Sequence, residues 1–454
     1  MKRAVPGALA VLLAAACSHH ADHAAPVAAS SANSVAIIPI AQAAGSQSGD
    51  IPPANISSCN PQQQDVPAKL PPAAGDQLPL FDSYSWRAFA ALICDGTKGQ
   101  KDTAGPITGD GPRVFETWKS AWEIFHPGPI SPDFDKREDS RYDPCGAQVK
   151  DGELVIASST KFVDLDEPGG PGVSLGPLPA QNRTYVRYLA QFDKESFTYL
   201  RNVLTRNITS GIDFPAGSIS VKSAWVEMKN LDSSRFYTRK AWIRTSPNSC
   251  TQTTVGLIAL HIVHKTRTNK RWIWSTFEHV DNVPDDPGPA CQPPVPAFTF
   301  HDTSCTPMPD PSMLPHNDPF APPVGVFNVV RTGAFISTLT QEANDAYHAI
   351  LPPSVWKNYR LVMTQWGVGQ PPSADQGGNP DYTFPGTGSN SAFANPVMET
   401  FFQTRVSLSC LGCHGETAVQ SDYVWALQIE RPQTRSAALG QLTGKLRSSG
   451  IRTQ

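Results

Sequence analysis

Hydrophobic positions along this chain change period, and each change predicts a change of element. Trp86, Phe89, Ala90 and Ile93 fall at i, i+3, i+4 and i+7 behind Asp82, the spacing of a capped amphipathic helix. Phe115, Trp118, Trp122 and Phe125 repeat at steps of three and four and predict a second helix. Thr184 to Phe192, Ser218 to Met228, Phe236 to Ile243, Thr254 to His264 and Lys270 to His279 are instead rich in β-branched and aromatic residues and read as strands. The last two flank Thr266-Arg267-Thr268-Asn269, a hairpin connection. A helix around Thr340 to Leu351 precedes a further strand, Val355 to Trp366. Asn395 and Pro396 then open a short helix on which Met398 and Phe402 share a face. Strands follow strands without intervening helices, which predicts an α+β fold rather than a βαβ repeat: an antiparallel β-rich body over 81–388 with flanking helices.

The N-terminal end obeys no such period. Lys2 and Arg3 precede Ala4 to Ala16, an apolar stretch too short to span a bilayer, so 1–16 reads as a signal peptide. It runs into Leu13-Ala14-Ala15-Ala16-Cys17, which resembles a bacterial lipobox except that Ala14 stands where a large apolar residue is usual. That predicts lipidation of Cys17 and a membrane anchor; Ser18 after it, rather than an acidic residue, predicts the outer membrane. The competing reading is an ordinary Ala-x-Ala cleavage site with an incidental cysteine. Residues 17–80, rich in Ala, Ser, Pro and Gln, read as a flexible tether. His19, His20 and His23 lie in it with nothing nearby to fix a metal geometry.

Composition narrows the class. Hydrophobic residues are 40% and charged ones 17%, which suits a globular chain that neither spans membranes nor stays unfolded. The net charge of −3 becomes −5 once Lys2 and Arg3 leave with the signal peptide, and no basic stripe exists, so no nucleic-acid partner is expected. From Pro284 to Pro323 there are 13 prolines in 40 residues, a long loop that also carries Cys291, Cys305, Met308, Met313 and His316.

One motif carries chemistry. Cys410-Leu411-Gly412-Cys413-His414 is C-x-x-C-H, the attachment site of c-type haem: two thiols on one helical turn reach the two vinyl groups, and the next residue presents imidazole to the iron. This chain's Cys and His frequencies predict about 0.004 such strings by chance. A zinc knuckle would need a second ligand pair, and no Cys or His follows His414. One covalently attached haem c is therefore expected, in a helical segment over 389–454. Setting aside Cys17, Cys410 and Cys413 leaves Cys59, Cys94, Cys145, Cys250, Cys291 and Cys305, an even number that predicts three disulfides in an exported chain. Sequence does not choose among their pairings, of which Cys291 with Cys305 is the most local.

The 40 residues after His414 contain no Met, so a Met or His distal iron ligand must come from upstream and the haem must be built into the body. This is not the layout of a small class I cytochrome c. Met398, 12 residues before Cys410, and His261 are the distal candidates, each also readable as core. His264 differs from His261 by three on a strand, so the two point to opposite faces and cannot both serve. Met363 reads as core. Glu278 and His279 end a strand and are candidate acid–base groups, although caps and loop anchors are common at such ends.

With these residues assembled, His261-Ile262-Val263-His264-Lys265-Thr266, Trp272 to Pro284, Ser354 to Trp366, and Met398 through His414 together resemble a group of exported monohaem proteins of Gram-negative bacteria, the cytochrome c family proteins. The resemblance runs from about Trp86 to His414 and implies a periplasmic haem protein; it brings no substrate with it. Two functions compete. One is single-electron transfer with a periplasmic redox partner. The other is a haem c-dependent oxidoreductase acting on peroxide, O₂ or a small molecule at an open sixth iron position. A haem-based sensor would need an output domain that the sequence does not display.

Overall fold

The computed structural model describes most of 54–97, 106–138, 177–285, 298–302, 318–367 and 394–400, with 145, 148–150, 153–156, 403, 409–415 and 421–429. The signal peptide, Cys17, the His19, His20 and His23 cluster, Cys291, Cys305, Met308, Met313, His316, Phe402 and the expected 388/389 boundary lie outside the described residues. Among the described residues no helix is long and apolar enough to cross a membrane.

A mixed α+β architecture organises the chain around one curled, mainly antiparallel sheet of eight strands. These are β1 (Lys119–Ser120), β2 (Leu154–Ile156), β3 (Arg187–Phe192), β4 (Ile219–Glu227), β5 (Thr238–Ser246), β6 (Ser249–His264), β7 (Ile273–His279) and β8 (Tyr359–Trp366). Their order is β1-β3-β4-β6-β5-β2, with β7 on β6 and β8 outside β7; only β2 against β5 is parallel. The branch arises within β6, whose 16 residues carry an apolar run from Val255 to Val263, interrupted only by His261, between polar ends. Its first half, to Gly256, pairs with β5, and its second half, from Ala259, pairs with β7. Gly256 sits at the branch, where a Cβ would collide with Met228 Sδ.

Helices cover one face of the sheet. The helix α1 (Ala74–Leu92) lays Phe81 on Trp366 with ring centroids 3.7 Å apart and Phe89 on Phe277 at 4.2 Å. Such stacked pairs add about 0.5–1.5 kcal/mol each beyond area burial. The expected stripe is buried here, but Asp82 is no cap. The helix starts earlier, and Asp82 lies inside it, accepting from Thr364 Oγ1 at 2.6 Å and Thr340 Oγ1 at 2.7 Å. The helix α4 (Thr338–Ile350) packs beside α1 through Trp86 and Tyr347, whose rings stack at 5.4 Å.

Three expectations are corrected. The stripe Phe115 to Phe125 is not one helix: a 3-10 turn at Val114–Thr117 and β1 precede the short helix α2 (Ala121–Phe125), because Lys119 and Ser120 pair with Phe192 and Gln191 of β3. The turn at 394–400 replaces the short helix expected from Asn395, whose Oδ1 accepts from Val397 N at 3.1 Å. The tether does not extend to residue 80. Cys59 is bridged to Cys94, and Gln62 Nε2 donates to Asp193 Oδ2 at 3.1 Å, so the chain is fastened to the body well before α1. Cys145 with Cys250 is the second disulfide. The helix α3 (Lys194–Thr205), capped by Asp193, was not expected.

Candidate haem attachment site

Cys410–His414 forms a single helical turn, α5, seated on the edge strand β8. Its seat is Gln365: Oε1 accepts from Leu411 N at 2.8 Å, and Nε2 donates to Ser409 Oγ at 3.3 Å. Trp274, directly across from Gln365 in the ladder, has its ring centroid 5.2 Å from that of His414. The Cys410 thiol is buried; the Cys413 side chain lies outside the described residues. His414 is half-buried, and its Nδ1 lies 2.7 Å from the carbonyl oxygen of Tyr423. A carbonyl only accepts, so Nδ1 carries the proton and the lone pair of the neutral ring is on Nε2. A backbone carbonyl or carboxylate fixing the far nitrogen is how proteins orient a metal-binding imidazole.

Holding that carbonyl in place takes an unusual backbone. Asp422 and Tyr423 are consecutive non-glycine residues in the left-handed region, with φ of 47° and 68°. Such residues cost on the order of 1–3 kcal/mol each and persist only where their surroundings over-determine them. Here they do. Asp422 Oδ2 accepts from Phe214 N at 2.8 Å and Lys265 Nζ at 2.9 Å, and Trp272 Nε1 donates to Asp422 O at 2.9 Å. Burial pushes the Asp422 carboxyl up to about 6, against the opposing pull of Lys265. The helix α6 (Ala426–Ile429) closes the segment behind Trp425.

Sheet register sorts the candidate ligands, since cross-strand partners share a face and alternate residues along a strand return to it. Val263 pairs with Trp274 and His261 with Thr276, so His261 is on the face that carries Trp274 and His414. The 394–400 turn lies on this face too. Asn395 Nδ2 donates to Thr276 Oγ1 at 3.0 Å, and His261 Nε2 is 3.6 Å from Glu399 Oε1. Met398, between them in sequence, is fully buried in a cluster that includes Val397, Ala224, Ile258 and Trp425. Met363, paired with Thr276, shares the face. His264 is on the other one. It pairs with Ile273 and sits under α1 with its Nδ1 2.7 Å from Tyr84 Oη, and burial holds it neutral by lowering its pKa to about 3.

Glu278 and His279 are not brought to the motif. His279 stacks on Phe236 at 3.8 Å, its Nε2 meets Arg235 O at 3.0 Å, and its Nδ1 accepts from Asp281 N at 3.1 Å. Both ring nitrogens are engaged, and burial lowers its pKa to about 4, so it anchors the end of β7. Glu278, fully buried, is clamped between Arg331 and Arg360.

Sequence reasoning did not single out Gln365, Trp274, Asp422 or Tyr423. Gln365 and Trp274 read as ordinary strand positions, and a carbonyl contact has no side-chain signal. Among the described residues no three His, Cys, Asp or Glu side chains converge on a metal ion; a haem, whose porphyrin supplies four nitrogens, asks the chain for only one or two ligands. Comparison with protein families, with curated proteins and with solved structures finds no match to this chain.

Proposed function

We propose that this chain is an exported monohaem c-type protein that passes single electrons to and from a redox partner in the periplasm, anchored to the outer membrane through Cys17. The observation that carries the reading is C-x-x-C-H ending in an imidazole whose Nδ1 is held by a carbonyl, which directs the Nε2 lone pair outward as an iron ligand requires. In this reading Cys410 and Cys413 form the thioethers and His414 binds the iron. The 389–454 segment is then a haem-bearing flank of the β body and not a small class I cytochrome. The haem supplies one-electron iron chemistry when bound. The chain fixes the imidazole through Tyr423, seats the motif on Gln365 and packs Trp274 beside the ligand.

A second reading, a haem-dependent oxidoreductase with an open sixth position, is favoured by the size of the body. A sheet and helices running from Phe81 to Trp366 exceed what a simple carrier needs to cover its haem. Acid–acetone extraction separates haem c from loosely held haem. The pigment should stay with wild-type protein, and a Cys410→Ala, Cys413→Ala double variant should lose it. A double variant that retains covalent haem would overturn the reading.

A further inference from the structure

Glu278, Arg331 and Arg360 form a charged cluster on the face of the sheet that carries Trp274, and among the described residues its buried charges do not balance. The Arg331 side chain is 1% exposed and that of Arg360 10%, while Glu278 is 0% exposed. Glu278 Oε1 accepts from both guanidiniums: from Arg360 Nε at 3.0 Å and Nη2 at 2.9 Å, and from Arg331 Nη2. Asp285 also meets Arg360, with Nη1 to Oδ2 at 2.9 Å, but from the solvent side, its side chain 67% exposed. The buried part thus holds two guanidiniums against one carboxylate. Among the described residues, Arg331 Nε and Nη1 are buried without an acceptor, and Glu278 Oε2 is buried without a donor. Leaving a buried charged donor without an acceptor is costly, so the arrangement calls for a partner.

Arg331 is not placed by chance. Val329 N donates to Phe300 O at 2.8 Å, and Gln403 Nε2 donates to Val330 O at 2.9 Å, so the backbone leading into Arg331 is pinned on both sides. A pinned, buried guanidinium with open donors beside a second guanidinium and only one buried carboxylate suits a carboxylate ligand.

We infer that Arg331, with Arg360 behind it, is a binding site for a carboxylate group. Two sources share that chemistry. A haem propionate is one: Glu278 is four residues beyond Trp274 on the same strand and face, about 13 Å along β7, so Arg331 and Arg360 would hold a carboxylate of a haem bound at the motif. That arm alone rests on the haem reading above. A small free carboxylate is the other, and the open acceptor at Glu278 Oε2 favours one that also bears a hydroxyl, such as glycolate over acetate.

The test uses full-length protein as purified, wild type beside Arg331→Gln and Arg331→Lys, with acetate or glycolate replacing chloride at constant ionic strength. A free-carboxylate site gives a saturable rise in wild-type Tm, with glycolate binding tighter than acetate and Arg331→Gln weakening both at least about ten-fold. A propionate site leaves wild-type Tm indifferent to either anion. Arg331→Gln then lowers the reduction potential and gives it a pH dependence near neutrality that wild type lacks. Should Arg331→Gln not fold, Arg331→Lys, which keeps the charge but loses the fork, is read on the same scale. The inference is overturned if wild type shows no saturable anion effect and the folded variant keeps the wild-type potential and pH profile. Protein found without covalent haem still reports through the anion arm, so the two claims fail separately.

Discussion

His414 Nδ1 and the Tyr423 carbonyl oxygen are 2.7 Å apart, and Tyr423 reaches that position only by taking a φ of 68°. The strain is held by Asp422, whose carboxylate neutralises Lys265 inside the protein. Asp422→Ala should therefore cost about 2–4 kcal/mol by leaving Lys265 poorly paired, read as a lower midpoint in urea unfolding. It should also loosen His414 and broaden the signals of its ring in NMR spectra. A variant with wild-type midpoint and sharp ring signals would show that Asp422 does not hold the turn.

Asp82 supplies a pH dependence. Burial raises its carboxyl from 3.8 to about 7 despite hydrogen bonds from Thr364 and Thr340. Between those values the folded chain keeps a proton that the unfolded chain has released. The Asp82 contribution to stability is thus fully present below about pH 4 and is lost as pH rises through about 7, at about 1.4 kcal/mol per unit. Asp82→Asn should flatten that part of the profile. Urea unfolding of both proteins at several pH values checks it, and parallel profiles would refute the assignment.

The Cys59–Cys94 bridge spans 35 residues and ties the segment before α1 to the end of that helix. By loop-closure entropy, Cys59→Ser with Cys94→Ser should cost about 3–4 kcal/mol. Denaturant unfolding measures it; a loss under about 1 kcal/mol would mean that non-covalent contacts, such as Gln62 Nε2 to Asp193 and Thr268 N to Asp65 Oδ2 at 3.0 Å, hold the segment unaided.

Ligand choice follows from the faces of the sheet. His264→Ala should leave the ferric haem spectrum unchanged, since His264 lies beneath α1 against Tyr84. Met398→Ala should remove a sulfur–iron charge-transfer band if thioether is the sixth ligand, and His261→Ala should convert a low-spin bis-histidine spectrum to high spin if imidazole is. An effect confined to His264→Ala would contradict the placement of the haem on the Trp274 face.

The strands were legible because β-branched and aromatic residues crowd Tyr185 to Phe192, Val221 to Val226 and Val255 to Val263 densely enough to overrule local alternatives. Pairing was not. Nothing in the sequence marks where β6 leaves β5 for β7, near Gly256, where Met228 and Phe236 from earlier in the chain crowd the place a Cβ would take. Period alone also misled at Phe115 to Phe125, where sheet pairing at Lys119 and Ser120 outweighs a helical stripe. Asp82 looked like a cap because acidic residues favour helix starts, yet its partners come from Thr340 and Thr364, far along the chain. At the candidate site C-x-x-C-H was legible as a string. Its seat was not, since Gln365, Trp274 and Tyr423 act through a ladder position, a ring face and a backbone carbonyl.

The central claim is one haem bound covalently at Cys410 and Cys413, and peptide mass spectrometry tests it most directly. Protein made in cells with an active c-type maturation pathway is digested with trypsin, which releases the motif between Arg405 and Arg435, the bond after Arg431 being blocked by Pro432. The account predicts that this one peptide carries the added mass of a single haem and absorbs in the Soret region. An unmodified peptide from fully matured protein, or haem mass on any other peptide, would contradict it.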